Sequence, residues 1–279
     1  MNEPICYTNG EYKKTSEACI GITDIGLLRG YGVYDGLTTY NSRVFRSADH
    51  FARLKKSADA LSLELPVTEK ELDAIFDELI KKNNFPRTNF RVILTGGQTF
   101  SGIEFDSKKP TFYILAENNV PLDKSFYREG SSLFTFEHKR QYPEYKTINY
   151  ITGVMLQNRR KAEKAVEILY VSDGKVLEAA TSNFFLVKGK TLVTPRKNVL
   201  LGITRNVVIE LMSPDYKIEE RDVDVSEIAD ADEAFITASY KEIVPIVRID
   251  NHTVGLGTVG HVVKEVMNRF DTYKNKWGK

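Results

Sequence analysis

Two kinds of hydrophobic pattern run along the chain. In the opening "ICYTNGEYKKT", Asn9-Gly10 separates two short runs of alternating apolar and polar residues, which predicts a β-hairpin. "VYDGLTTYNSRVF" reads as strand, turn and strand. The period then changes: in "ADHFARLKKSADAL", Phe51, Leu54, Ala58 and Leu61 fall on one helical face, with Arg53 and Ser57 off that stripe. "TEKELDAIFDELIKKN" opens with a capping box of Thr68 and Glu71, then sets Leu72, Ile75, Phe76, Leu79 and Ile80 at helical spacing. "NFRVILTGG" and "TFYILAE" read as strands.

The polar, proline-containing "AENNVPLDK" follows a buried-looking strand and marks a linker. The expected organisation is a small N-terminal domain over residues 1–118, a linker at 119–123 and a larger domain over 124–279. Beyond the linker, "SLFTFEH", "EILYVSD", "NFFLVKGKTLVTP", "EAFITAS" and "EIVPIVRID" read as strands. Helices are expected from Tyr150 to about Lys164 and from Ile203 to about Met212, with another in "TVGHVVKEVMNRFDTYKN". Strands and helices do not alternate one for one, as a doubly wound sheet requires, so the predicted class is α+β in two domains.

Composition narrows the partners. Over 279 residues, 42% are hydrophobic and 28% charged, yet the formal net charge is only +1, so no general attraction to nucleic acid or anionic membrane is expected. "MNEPICYTNG" lacks a basic stretch followed by an apolar one, and no apolar run approaches a membrane span, so a cytoplasmic location is the default expectation. Cys6 and Cys19 have no CxxC spacing, and His50, His138, His252 and His261 lie on no metal-binding pattern; no metal is expected.

Several stretches can carry chemistry. In "EYKTINYITG", Lys146 sits between an irregular, proline-containing run and an amphipathic segment. An amine buried at such a boundary loses charge, because desolvation lowers its pKa from about 10.4, and a neutral amine can attack a carbonyl. In "DGKVLEAATSNFFLVKG", Glu178 precedes small and hydroxyl residues through Ser182 before Asn183 opens an apolar strand; a carboxylate so placed can face a buried cationic ring or simply end a strand in solvent. In "LLGITRNVVIELM", Gly202 permits close backbone approach, and Ile203 and Thr204 begin a helix whose first amides can bind an anion such as phosphate. "ITASYKEIVP" ends a strand with Ser239, and Arg53 can bring a countercharge.

In their order along the chain, "RGYGVYDGLTTYN", "HFARLKKSA", "FRVILTGG", "YKTINY", "EAATSNFFLVKG", "TPRKNVLLGITR" and "ITASYKEIVPI" closely resemble the fold type IV pyridoxal-phosphate enzymes. These are the class IV aminotransferase family of branched-chain aminotransferases, D-amino-acid aminotransferases and aminodeoxychorismate lyases. The resemblance implies pyridoxal 5'-phosphate as cofactor, an amino acid and a 2-oxo acid as substrates, and a homodimer with shared active sites. It implies that Lys146 bonds to the cofactor and carries the proton at Cα, and that the Glu178 carboxylate faces the pyridine nitrogen. Arg53, Ile203, Thr204 and Ser239 match the phosphate cup, the middle two through backbone amides, with Ser182, Asn183 and Gly202 beside them. Tyr150 resembles the tyrosine that bonds the ring hydroxyl, although Lys146 and Asn149 follow the KxxN form of the D-amino-acid enzymes and the lyases.

The substrate side is implied to involve Arg29, Tyr34, Arg91, Ser239 and Tyr240. Arg91 aligns with the arginine that holds the distal carboxylate of glutamate in branched-chain enzymes, and Arg29 stands where those enzymes have a tyrosine reaching the partner's pocket. Two arginines argue for a bound carboxylate; alternatively, either pairs with a nearby acid such as Asp35 or Asp24. The "RGxxxRxH"-like run of the D-enzymes is absent, with "TGGQTFSG" in its place. The reading taken forward is a D-amino-acid transaminase using 2-oxoglutarate or pyruvate. A branched-chain L-amino-acid aminotransferase and a 4-amino-4-deoxychorismate lyase remain open as alternatives, as does a non-catalytic binding protein.

Overall fold

The computed structural model describes residues 3–278, which form two compact units. The first comprises the chain up to Val120, joined by Tyr145–Asn149 and by the segment from Asn275; the second comprises Pro121–Glu144 and Tyr150–Lys274.

The first unit opens with the hairpin β1 (Ile5–Thr8) and β2 (Glu11–Lys14), whose turn residues Asn9 and Gly10 both take positive φ, 45° and 98°. That is the backbone a tight hairpin turn with right-handed strand twist demands. A short helix, α1 (Ile25–Arg29), was not apparent from periodicity because it has barely more than one turn. Asp24 caps it through the Gly26 N–H at 2.7 Å, and Gly30 ends it at φ 66°. There follow β3 (Gly32–Tyr40), β4 (Arg43–Val44), α2 (Ser47–Ala60), α3 (Glu69–Asn83) and β5 (Thr88–Thr95). A small hairpin, β6 (Thr99–Ser101) with β7 (Glu104–Phe105), leads to β8 (Thr111–Asn118). The capping box of Thr68 and Glu71 forms at the start of α3.

The six-stranded sheet runs β2-β1-β8-β5-β3-β4. Strand alternation divides it into two faces. Val33 and Leu37, Phe90, Val92 and Leu94, and Phe112, Ile114 and Ala116 pack with Leu54 and Ala58 of α2 and Leu72, Phe76 and Leu79 of α3. Asp35 lies on this covered side between Val33 and Leu37 and is itself buried. The other face carries Tyr34, Gly36, Arg91 and Glu117.

Tyr145–Asn149 belongs to this unit because it lies along β3 as an extra strand-like rung. The Tyr34 N–H donates to the Lys146 carbonyl at 2.9 Å and the Ile148 N–H to the Gly32 carbonyl at 3.1 Å, around a Val33–Thr147 bridge. The close approach requires Gly32, where a Cβ would stand 2.7 Å from the Leu94 carbonyl oxygen and 3.1 Å from Ile148 Cδ1. A contiguous reading of the chain assigns this segment to the later domain; the pairing that reassigns it joins residues far apart in sequence.

The second unit begins with α4 (Lys124–Arg128) and β9 (Ser131–Glu137). Where one helix from Tyr150 to about Lys164 is expected, there are two: α5 (Ile151–Met155) and α6 (Gln157–Ala162). Leu156, at φ −85° and ψ 2°, closes one and opens the other, and its side chain packs with the buried Phe134 and Tyr170. Next come β10 (Glu167–Ser172), β11 (Lys175–Ala179), β12 (Asn183–Lys188), β13 (Thr191–Thr194) and α7 (Ile203–Met212). The chain finishes with β14 (Lys217–Glu220), β15 (Val223–Asp224), β16 (Glu233–Ala238), β17 (Glu242–Ile249), β18 (His252–Thr253) and α8 (His261–Lys276).

These strands make a ten-stranded mixed sheet in the order β14-β13-β12-β16-β17-β9-β10-β11-β15, with β18 against β17. On one face, Phe184, Leu186, Ala234, Ile236, Val244 and Ile246 belong to the main core. On the other, Phe185 and Phe235 stack with ring centroids 4.7 Å apart, and Asn183 stands opposite Thr237. Among the described residues no helix is long and apolar enough to cross a membrane.

Candidate active site

In the first unit, Lys146 is held by its backbone. Its carbonyl accepts from Tyr34, as above, and its N–H donates to Ser57 Oγ at 3.1 Å, while that hydroxyl donates to the Arg53 carbonyl at 2.9 Å. Ser57, off the apolar stripe by sequence, is therefore buried: it satisfies the lysine segment's backbone rather than contributing apolar surface. The Lys146 Nζ lies 4.5 Å from the centroid of the Tyr34 ring. Among the described residues no carboxylate comes within ion-pair distance of it, so the amine is not committed to a structural salt bridge.

One helical turn before Ser57, Arg53 donates from Nε to Asp35 Oδ2 at 2.8 Å and from Nη2 to Asp35 Oδ1 at 2.7 Å. His50 Nδ1 stands 2.8 Å from the same Oδ1. Burial pushes the Asp35 carboxyl up, but Arg53 and His50, through charge and hydrogen bonds, outweigh it and hold the group well below the usual carboxylate range. Burial pushes the His50 imidazole down, Asp35 pulls it back, and Arg53 and Lys146 oppose its charging, leaving it below the ordinary histidine value. The result is a fixed guanidinium on α2, oriented by an anion beneath it.

Two of the predicted substrate residues, Tyr34 and Arg91, lie on the face of the sheet away from α2 and α3. Arg91 is opposite Gly36 and diagonal to Tyr34, which brings long side chains within reach. Its guanidinium pairs with Glu117, Nη2 to Oε2, at 2.9 Å, and its side chain is 49% exposed. The acid that answers Arg91 is thus neither Asp35 nor Asp24: Asp35 is held by Arg53 and His50, and Asp24 by Thr95, Thr111 and the Gly26 N–H. Glu117 escaped notice because the alternation of "TFYILAE" identifies its face but not its neighbour. Arg29, the last residue of α1, is exposed, with Nη1 donating to the Leu28 carbonyl.

In the second unit, Glu178 near the end of β11 is only 6% exposed. Its Oε1 accepts from Arg140 Nε at 2.7 Å and its Oε2 from the Leu200 N–H at 3.0 Å. A carboxylate this deep requires such partners. Tyr170 is buried beside it: burial first, then Tyr150 and Glu178, push the phenol up to about 12, against Arg140. Tyr150 itself precedes α5 and is half-buried.

Asn183 organises the start of α7. Its Nδ2 donates to the Leu200 carbonyl at 2.6 Å and its Oδ1 accepts from the Gly202 N–H at 3.1 Å. A Cβ at Gly202 would lie 2.1 Å from that Oδ1, so only glycine fits. No side chain caps α7, and the first amides, at the buried Ile203 and Thr204, have no intrahelical acceptor. On the strand face that carries Asn183, Thr237 is buried, and among the described residues its Oγ1 has no hydrogen-bond partner. Uncapped amides beside an orphaned hydroxyl fit a phosphate; Thr237 carries no sequence signal, since it reads as an ordinary strand residue. Ser182 Oγ and Thr181 Oγ1 donate to the buried Glu167, which also pairs with Lys241, so Ser182 and the turn after Ser239 and Tyr240 are tied to one acid. Ser239 and Tyr240 are half-buried at that turn.

This combination of an uncommitted lysine, a buried carboxylate with a cationic partner and an uncapped helix start accords with the comparisons to known proteins. Residues 32–249 match the family model for class IV amino-transferases. A protein of Methanocaldococcus jannaschii named "Putative branched-chain-amino-acid aminotransferase" is 30% identical, over 98% of this chain and 97% of its own. A D-alanine aminotransferase of Bacillus licheniformis is 29% identical, over 92% of this chain and 93% of its own. The fold matches that of the Escherichia coli branched-chain amino acid aminotransferase, with a TM-score of 0.91 and 24% identity, over 99% of this chain and 98% of that one. The chain belongs to the class IV amino-transferase family. It is a pyridoxal-phosphate-dependent aminotransferase with the fold type IV architecture.

The buried Asp35, His50 and Arg53 group sets a pH dependence. Because the folded-state pKa of His50 is depressed, its contribution to stability is present above the unfolded histidine pKa and is lost as pH falls; Asp35 acts in the same direction at lower pH. Between about pH 7.5 and about pH 5.5 the unfolding midpoint of the cofactor-free protein falls, with His50 contributing up to about 1.4 kcal/mol per pH unit. Thermal melts of His50→Gln across that range show a flatter slope; an unchanged slope contradicts the assignment.

Proposed function

We propose that this aminotransferase acts on D-amino acids, passing the amino group to 2-oxoglutarate or pyruvate, as a cytoplasmic homodimer. Bound pyridoxal phosphate supplies a ring that takes up the electron pair released when the substrate's Cα loses its proton. With the cofactor bound, Lys146 Nζ would be the base that takes the proton from the substrate's Cα and would carry it until it is returned to carbon. Glu178 holds the proton on the ring nitrogen, and Tyr150 is assigned to the ring hydroxyl. Arg53, the Ile203 and Thr204 amides and Ser239 take the phosphate, with Ser182, Asn183 and Gly202 shaping the turn beside it. Tyr34 and Tyr240 line the substrate side. The observation that supports the transfer chemistry is Lys146, whose backbone is held by hydrogen bonds to Tyr34 and Ser57 and whose amine has no carboxylate within ion-pair distance among the described residues.

For handedness, the supporting observation is Arg91 beside Tyr34 on the open face of the sheet, a cation suited to an α-carboxylate. One observation favours the branched-chain L-amino-acid reading instead: Glu117 already offsets Arg91, making that part of the face neutral. The relatives bear both names.

The homodimer reading rests on an apolar patch in the first unit. The Thr99 N–H pairs with the Thr23 carbonyl, and Ile22, Leu27, Phe100 and Ile103 in the two segments so joined are all at least 68% exposed. Large apolar side chains exposed on neighbouring segments suit an interaction surface, and Arg29 ends the helix that carries Leu27.

Lys146→Ala lowers turnover by roughly a thousandfold or more, and borohydride reduction of the parent enzyme labels Lys146; a label on another lysine refutes the assignment. For handedness, half-reactions of the parent with D-alanine, L-leucine and L-glutamate are compared with those of Arg91→Ala. The D-reading expects a loss of about tenfold for all D-substrates, modest because the pair is half-exposed. Robust L-leucine turnover without D-alanine activity in the parent sinks it. Sedimentation is expected to show a dimer, and mixing Arg29→Ala with Lys146→Ala subunits to restore part of the activity through one intact hybrid site. No recovery after proven subunit exchange rules out Arg29 acting across the interface.

A further inference from the structure

Arg140 carries none of the roles assigned above, yet it is among the most buried charged side chains in the second unit: 6% of the side chain is exposed, against 7% for Glu178. Its guanidinium is used in two directions. Nε donates to Glu178 Oε1 at 2.7 Å, and Nη2 donates to the Pro143 carbonyl at 2.6 Å. The contact to Pro143 fixes the guanidinium plane, and the plane fixes which carboxylate oxygen is engaged. With Oε2 taken by the Leu200 N–H, rotation of the Glu178 carboxylate is blocked from both sides. Lysine would supply the countercharge but not the fixed plane, because an ammonium is a point charge without a rigid fork.

We propose that Arg140 is the positioning residue of Glu178: it keeps the carboxylate ionised and fixed in rotation so that Glu178 can hold the proton on the cofactor's ring nitrogen. The proposal rests on the reading of Glu178 as the ring-nitrogen partner. The physical argument is one of charge. An unpaired carboxylate at this depth takes up a proton rather than remain charged. A protonated Glu178 presents a neutral group to the ring and no longer favours a pyridinium. Arg140 supplies the countercharge that prevents this, so its effect on the ring nitrogen passes through Glu178.

The test reads the ring nitrogen directly. NMR of the holoenzyme, reconstituted with pyridoxal phosphate isotope-labelled at the ring nitrogen, distinguishes a protonated from an unprotonated ring. The parent protein is expected to show a protonated ring, and Glu178→Gln an unprotonated one. Arg140→Met is expected to match Glu178→Gln and to slow the single-turnover half-reaction at least about tenfold. The double variant is expected to be no worse than Glu178→Gln alone, because residues acting as one unit are not additive. Arg140→Lys, which retains charge, is expected to keep the ring protonated. Should Arg140→Met fail to fold, Arg140→Gln serves in its place, as a donor without charge.

A folded Arg140→Met or Arg140→Gln protein with a protonated ring overturns the proposal, as does a double variant whose losses multiply. A purely structural Arg140 would lower the melting temperature without moving the ring signal. If the parent holds a protonated ring yet transfers no amino group, the reaction reading fails while the Arg140 comparison still stands. If the ring is unprotonated in the parent, the Glu178 assignment itself fails.

Discussion

With Lys146 as the proposed reacting amine, the chemistry of this chain depends on a short length of backbone, Tyr145–Asn149, being paired as if it were a strand. Two main-chain hydrogen bonds, from the Tyr34 N–H to the Lys146 carbonyl and from the Ile148 N–H to the Gly32 carbonyl, and a third from the Lys146 N–H to the Ser57 hydroxyl hold the segment to the first unit. A flexible lysine side chain then starts from a fixed point. Fixing the backbone leaves only the side-chain torsions to be ordered when the amine is presented, which lowers the entropic cost of doing so. The glycine at position 32 and the hydroxyl at position 57 are what this arrangement requires of the neighbouring strand and helix.

A similar economy governs the charges. Asp35 and Arg53 are paired on the covered side of the first sheet, and Glu178 and Arg140 beneath the surface of the second unit. In each case a buried acid and a buried or half-buried arginine share hydrogen bonds with defined geometry. Such pairs add little net stability over apolar packing, but they fix orientation, and losing one partner strands the other. On the proposed reading Arg53 and Glu178 face the cofactor, and orientation is what an enzyme must secure for such groups. Arg91 and Glu117 are built differently: half-exposed, on the open face, they form the kind of pair that a competing carboxylate can displace at modest cost.

The elements themselves were legible in the sequence because their signals are local. Asn9-Gly10 specifies a turn through φ, Thr68 and Glu71 cap a helix within four residues, and the periodicities of α2, α3 and the β3, β5 and β8 strands are contained in each segment. The ordered motifs around Lys146, Glu178 and Gly202 pointed to the family. Elements of about one turn, such as α1 and α4, fell below what periodicity can show, and Leu156 divides what reads as a single helix into α5 and α6.

Partnerships were decided by the tertiary structure. Ser57 looks like a surface residue until the Lys146 segment arrives 89 positions later to use its hydroxyl. Arg140 and Glu178 are 38 positions apart, and Arg91 and Glu117 are 26, distances over which composition and spacing carry no information about contact. Thr237 reads as one more β-branched strand residue, and only the packing leaves its hydroxyl buried without a partner. Sequence determines which residues can fold locally and which chemical groups are available; the long-range pairing of strands determines which of those groups meet, because burial converts an ordinary charge into one that must find its counterpart.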